Sequence, residues 1–190
     1  MLQQITSFLV GVVASFFVYA LLARFLFQWL RVPFRNVLGE FIIAVTNWLV
    51  VPARRAIPSL GGLDLASLLL AWLAQAGTLG LLYAIAGRDL SADPGTSAAV
   101  LAGLALLELV RIAIYILVFA LIVQTVLSWV NPYSPVGPVF DALTRPFLRP
   151  IRRVVPPLAN VDLSPLVLIV LLQVLLIPLD RVGALVAGAI

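Results

Sequence analysis

Apolar residues along this chain gather into four long runs, roughly Ile5–Leu30, Leu65–Ala86, Leu104–Val130 and Leu163–Leu179, the last able to extend to Ile190. At about 1.5 Å per helical residue, each run can cross the roughly 30 Å of bilayer hydrocarbon. The pattern predicts an all-α, polytopic membrane protein with four transmembrane helices. The opening "MLQQITS" has no basic region and precedes a long apolar run, so a cleavable signal peptide is not expected.

Between the runs the period changes. In "VGPVFDALTRPFLRP", Val136, Val139, Phe140, Leu143 and Phe147 recur at helical spacing, with Asp141, Thr144, Arg145 and Arg149 between them. That alternation suits a short amphipathic helix lying in the membrane surface. "NVLGEFIIAVTNWLV" (36–50) is its more apolar counterpart. Pro146 and Pro150 are expected to end or kink the second of these helices, since proline removes an interior hydrogen bond. Asp64 and Asp162 precede the second and fourth runs, where an N-cap belongs. Pro165 falls early in the fourth helix, where a missing N–H costs little.

The chain also repeats. Trp29 and Trp129 close the first and third runs, 100 residues apart. Beyond them the offset is 98: "PARRAIP" (52–58) matches "PIRRVVP" (150–156), "LDLASLLL" (63–70) matches "VDLSPLVL" (161–168), and Gln75 matches Gln173. Two units follow, residues 1–97 and 98–190, each a helical hairpin with an interfacial segment. Two spans per unit return the chain to its starting side, so the repeat is parallel.

Charge orients this scheme. Arg31, Arg35, Arg54 and Arg55 lie between the first two spans, and Arg145, Arg149, Arg152 and Arg153 between the last two. The remaining connection carries Arg88 beside Asp89 and Asp93, and Arg181 stands beside Asp180 after the fourth span. The positive-inside rule then predicts both long loops cytoplasmic and both termini outside, in the periplasm of a bacterial inner membrane. Trp29, Trp129 and Tyr133 suit the aromatic belt on the cytoplasmic side.

Composition narrows the chemistry. Of 190 residues 63% are hydrophobic and 11% charged, with a net charge of +4. A water-soluble domain is about half apolar and about a quarter charged. There is no Cys or His, and every basic residue is Arg. Thiolate chemistry, haem ligation, zinc sites, the usual general base and lysine Schiff bases therefore have no residues to carry them. No catalytic residue, cofactor or metal is expected.

These motifs resemble the YggT (YlmG) family, small bacterial membrane proteins with chloroplast relatives. "SWVNPYSP" (128–135), "RPFLRPIRRVVPP" (145–157) and "VDLSPLVL" carry the resemblance in the second half; "FQWLRVP", "VPARRAIP" and "LDLASLLL" carry it more weakly in the first. "RVPFRN" stands where the first half would need the N-P-x-S-P turn. The resemblance implies a non-enzymatic inner-membrane protein in its tandem two-unit form. It also implies links to osmotic stress and potassium uptake, to cell division and the nucleoid, and to assembly of a chloroplast cytochrome complex.

Several sets of residues are candidates for function or for packing. Arg54, Arg55, Arg145, Arg149, Arg152 and Arg153 fix orientation by contacting anionic headgroups, at about 1 kcal/mol each, or dock a protein partner; no nucleic-acid reader accompanies them. In each unit an Asp follows the second arginine by nine residues (Arg55 to Asp64, Arg153 to Asp162), a spacing that suits an Arg–Asp clamp. Gln75 and Gln173 lie 11 residues past those aspartates, about 16 Å into the span. They either hydrogen-bond between helices or line an ion or water path. Arg24 and its equivalent Gln124 are near enough to the cytoplasmic edge to snorkel, or belong to the same path. Glu108, Arg111, Asp180 and Arg181 are expected at the outer edge, with Glu108 and Arg111 paired at i,i+3. Ala76 with Gly80, Ala99 with Gly103 and Ala184 with Gly188 have small-x-x-x-small spacing, for packing within the chain or in a homo-oligomer. Two functions remain: a scaffold or assembly factor with an arginine-rich cytoplasmic face, and a potassium-type channel or transporter lined by Arg24, Gln75, Gln124 and Gln173.

Overall fold

The computed structural model describes residues 1–57, 62–88, 93–155 and 162–188, and among them the chain is helical. Six helices follow in order: α1 (Leu2–Trp29), α2 (Val37–Ala56), α3 (Leu65–Ile85), α4 (Pro94–Val130), α5 (Gly137–Val154) and α6 (Ser164–Ala187). All except α5 are long and apolar enough to cross a membrane. Length and apolarity thus make α2 a fifth candidate beside the four expected spans.

Helices α1 and α3 pack antiparallel. Gln3 at the start of α1 donates to the Ile85 carbonyl at the end of α3, and Gln28 at the other end donates to the Gly62 carbonyl (2.9 Å). Helices α4 and α6 are likewise antiparallel, joined by Arg111 and Asp180. Val18, Leu21 and Leu22 of α1 share a buried cluster with Val50, Ala71, Leu109 and Ile112, which brings α1 to α4 together. A second cluster joins Phe27, Val32 and Ile42 to Ala120, Val139 and Phe140. A third seats α6 on α4 and α5 through Leu121, Leu148, Leu168 and Leu172.

Large apolar side chains also point outward along the spans: Phe8, Leu9, Val12 and Val13 on α1, and Val170, Leu171, Val174 and Leu175 on α6. Contiguous apolar surface on this scale is unstable in water and matches hydrocarbon.

Helix ends follow local chemistry, and three differ from expectation. α4 begins at Pro94 rather than near Leu104, because Asp93 caps it by accepting from Thr96 N (3.3 Å) and Pro94 supplies the first turn. Its 37 residues reach about 55 Å. α5 runs unbroken through Pro146 and Pro150. The two prolines, at i and i+4, lie on the exposed face of that helix, where carbonyls without a helical partner can be solvated. The arginine pairs therefore occupy last helical turns, Arg54 and Arg55 in α2 and Arg152 and Arg153 in α5, where the helix dipole favours cations. Finally, Asp64 caps α3, but Leu163 takes the N-cap of α6 and Asp162 stands one residue earlier.

α1 ends in a left-handed cap at Arg31 (φ 54°). Val32 N bonds to the Phe27 carbonyl (2.8 Å) and Arg31 N to that of Gln28 (3.2 Å), which turns the chain sharply toward α2. Asn36 then caps α2 by accepting from Gly39 N (2.9 Å). A Cβ at Gly39 would meet the Phe34 carbonyl oxygen at 2.4 Å, so this turn requires glycine.

Candidate functional site

The polar groups of the first half converge where α1, α2 and α3 meet. Arg24, on α1, is only 5% exposed. Its Nη1 donates to Thr46 Oγ1 (2.7 Å) and Asn47 Oδ1 (2.9 Å) on α2. Its Nε lies 3.4 Å from Asp64 Oδ2. Arg54, from the last turn of α2, donates Nε to Asp64 Oδ1 (3.2 Å) and Nη2 to Oδ2 (2.5 Å). Ser67 completes the shell, its N–H reaching Oδ1 (3.3 Å) and its hydroxyl Oδ2 (2.6 Å). One buried carboxylate thus holds two guanidinium groups and starts a helix. Burial alone would raise the Asp64 carboxyl, but the bonds from Arg54 and Ser67 outweigh it and hold its pKa below the usual carboxylate range.

The second half builds the same corner from weaker parts. Gln124 replaces Arg24 and faces α5, its Oε1 accepting from Thr144 Oγ1 (2.5 Å) and its Nε2 donating to Asp141 Oδ1 (3.3 Å). Arg152 Nε donates to Asp162 Oδ2 (2.9 Å), and Ser164 N to Oδ1 (2.9 Å). Asp162 is 42% exposed where Asp64 is 1%. Burial pushes the Asp162 carboxyl up, yet Ser164 and Arg152 bring it below the usual range. Ser164 Oγ, on the first residue of α6, is buried without a well-formed hydrogen bond to a described residue, yet it lies near enough to the Asp162 carboxylate to help lower its pKa.

Thr46 and Thr144 were not among the candidates. They are 98 residues apart, the offset of the arginine pairs, and each bonds both to the polar residue of the long helix and to a carbonyl four residues back (Ile42, 2.6 Å; Phe140, 2.8 Å). The shared offset was the available signal, hidden because a threonine in an apolar helix reads as filler. Gln28 and Asn47 were also missed, and no offset marked them, since Ser128 and Arg145 stand at the equivalent positions.

The aspartates take the first arginine of each pair, not the second: Arg54 and Arg152, though partly exposed, bond to Asp64 and Asp162, while Arg55 and Arg153 are exposed and bond to neither. Arg145 pairs with Asp141 on its own helix. Arg55, Arg149 and Arg153 make no ion pair with a described residue.

The glutamines do not meet. Gln75 is buried on α3, Gln173 is exposed on α6, and no hydrogen bond joins them. Arg24 and Gln124 are engaged near the ends of their helices, so the four candidate lining residues form no shared surface. The larger cavities between helices are apolar; one, of about 690 Å³, is walled by Leu65, Leu68, Leu69, Trp72, Leu106 and Leu109. At the opposite end Arg111 bridges Glu108 (2.7 Å) and Asp180 (2.5 Å), tying α4 to α6, while Arg181 is exposed. Of the small-residue pairs, a Cβ at Gly80 would lie 3.5 Å from Leu101 of α4, whereas one at Gly103 would meet nothing within 4 Å and one at Gly188 only carbonyls of its own helix.

The fold and its two Arg–Asp corners define an all-helical protein with membrane-span helices and a polar, arginine-bearing end. The model of the CCB3/YggT family matches residues 3–85 and 103–182, and the chain belongs to that family. It is 35% identical over 171 residues to an uncharacterized protein in the proC 3' region of Vibrio alginolyticus, covering 88% of this chain and 89% of that one. It is 32% identical over 170 residues to the uncharacterized protein YggT of Escherichia coli K12, covering 89% and 86%. An uncharacterized protein of Haemophilus influenzae is 30% identical over 168 residues, covering 88% and 87%. No solved structure gives a significant match.

Proposed function

We propose that this protein is a non-enzymatic scaffold or assembly factor of the bacterial inner membrane, whose arginine-rich cytoplasmic face holds anionic headgroups or a protein partner. The observation that carries this reading is the division of labour among arginines. Arg54 and Arg152 are used internally, whereas Arg55, Arg149 and Arg153 are exposed and make no ion pair with a described residue, at the same end of the bundle. Each clamp takes one arginine from its Arg–Arg pair, so the others are available to a ligand outside the chain.

In this reading α1, α3, α4 and α6 span the membrane as two parallel-repeated hairpins, while α2 and α5 lie at the cytoplasmic interface and both termini face outward. Support for an interfacial α2 comes from its two ends. It begins eight residues after α1 ends, and its last turn places Arg54 Nη2 3.5 Å from Gln28 Oε1, again at that end of α1. A helix crossing the bilayer beside α1 would finish near Gln3.

The channel alternative draws on Gln75, a buried amide in mid-span. Its repeat equivalent faces outward and the larger cavities between the helices are apolar, which favours the scaffold. Ion flux through purified protein in liposomes tests the choice. We expect no flux above protein-free liposomes. A potassium flux that disappears in Gln75→Leu and Gln173→Leu would overturn the scaffold reading.

A further inference from the structure

Superimposing the two corners by their sequence offsets exposes a difference that local chemistry has not closed. Asp64 receives Arg24, Arg54 and both groups of Ser67. At the equivalent positions of the second half stand Gln124, Arg152 and Pro165. Gln124 is turned toward α5 and Pro165 has no hydroxyl; Ser164 stands in for Ser67 beside the carboxylate, so what Asp162 lacks is the second guanidinium that Asp64 receives from Arg24. Both replacements line a cleft of about 300 Å³, whose other walls are Thr125, Ser128, Trp129, Arg152 and Asp162. The cleft therefore opens beside the position at which the second half has a glutamine in place of a guanidinium.

Its lining selects the occupant's chemistry. Thr125 spends its hydroxyl proton on the Leu121 carbonyl (2.8 Å) and Ser128 on that of Thr125 (2.7 Å), which leaves oxygen lone pairs as what both offer. A carboxylate has about four acceptor sites, and Asp162 uses two, for Arg152 and Ser164. Three acceptors thus face a cleft large enough for a small headgroup, with the Arg152 guanidinium at its edge to meet a phosphate.

We propose that this cleft binds a primary ammonium group, which donates to Asp162, Thr125 and Ser128, with an attached phosphate on Arg152. The source is either the headgroup of an aminophospholipid or a soluble phosphorylated amine. The lipid source rests on the reading that α5 lies at headgroup level; the soluble source does not.

The full chain in detergent micelles, exchanged against equal amounts of phosphatidylethanolamine and phosphatidylcholine, provides the test by native mass spectrometry. The trimethylated headgroup of the second lipid has no N–H to donate. We expect phosphatidylethanolamine to be retained about tenfold better, the worth of one charge-assisted hydrogen bond. Asp162→Asn should bring the two lipids to parity. Gln124→Arg, which returns the chain's own guanidinium to the cleft, should do the same while keeping the thermal midpoint at or above wild type. In a second arm phosphoethanolamine is titrated without lipid. A raised midpoint in wild type but not in Gln124→Arg identifies the soluble source, and it would appear even if α5 were not interfacial. Equal retention of the two lipids with no response to phosphoethanolamine overturns the proposal, as does wild-type selectivity in Gln124→Arg.

Discussion

Asp64 has almost no contact with solvent, and removing it would strand Arg24 as a buried charge held only by Thr46 and Asn47. Breaking a buried ion pair in this way costs about 3–5 kcal/mol, so Asp64→Asn should lower the thermal midpoint in detergent severely. Asp162 is about half exposed, and pairs of that kind contribute about 1 kcal/mol or less. Asp162→Asn should therefore shift the midpoint little, and equal losses at the two sites would contradict the assigned burial. The acid response has a defined sign. A carboxyl whose folded pKa is depressed stabilises the fold above its unfolded pKa, near 4, and that stability is lost as pH falls through the folded value. Scans from pH 7 downward should show a falling midpoint below about pH 4, with a shallower fall in Asp64→Asn. Arg24, Gln124 and both aspartates were visible in the sequence as polar residues at repeating offsets. Which arginine each aspartate takes was not, because adjacent residues on a helix point about 100° apart and the extent of α2 and α5 decides the matter.

The helices α1 and α3 end in the same backbone turn with different residues in the left-handed position. At Gly87 (φ 76°) glycine adopts that conformation freely, and Arg88 N bonds back to the Tyr83 carbonyl (3.1 Å). At Arg31 (φ 54°) an L-residue with a Cβ does so at a cost of roughly 1 kcal/mol. Arg31→Gly should raise the thermal midpoint and Gly87→Ala should lower it, each by about that energy. If Arg31→Gly is destabilising instead, the Arg31 side chain supplies something worth more than the strain. The spans were legible because apolar runs of twenty or more residues admit few other solutions. The element boundaries were less so. Prolines that ordinarily break helices sit harmlessly on the exposed face of α5, and Asp93 with Pro94 starts α4 ten residues before its apolar core becomes dense.

For the molecule as a whole the open choice is between four crossings and five, since α2 has the length and apolarity of a span. Hydropathy cannot decide this, because a helix that covers its neighbours at the interface needs the same apolar residues as one that crosses. Packing is more informative. Phe41 and Trp48 meet Phe16 and Phe17, Thr46 meets Arg24, and Arg54 meets Gln28. All of these partners belong to the part of α1 from its middle to its C-terminal end, and none to its first turns. A helix confined to that half wraps the bundle near one surface. The absence of cysteine from the chain makes the question directly measurable, because each introduced thiol is the sole target of a labelling reagent. In oriented membranes, Arg35→Cys before α2, Arg55→Cys in its last turn and Tyr133→Cys before α5 should all react with a membrane-impermeant maleimide from one side. Gln3→Cys should react only from the other. Reaction of Arg35→Cys and Arg55→Cys from opposite sides would make α2 a true span. It would also move Arg31 and Arg35 to the face opposite Arg55 and Arg153, which stay together because two spans, α3 and α4, separate them in either case, so the collar would lose the arginines that precede α2.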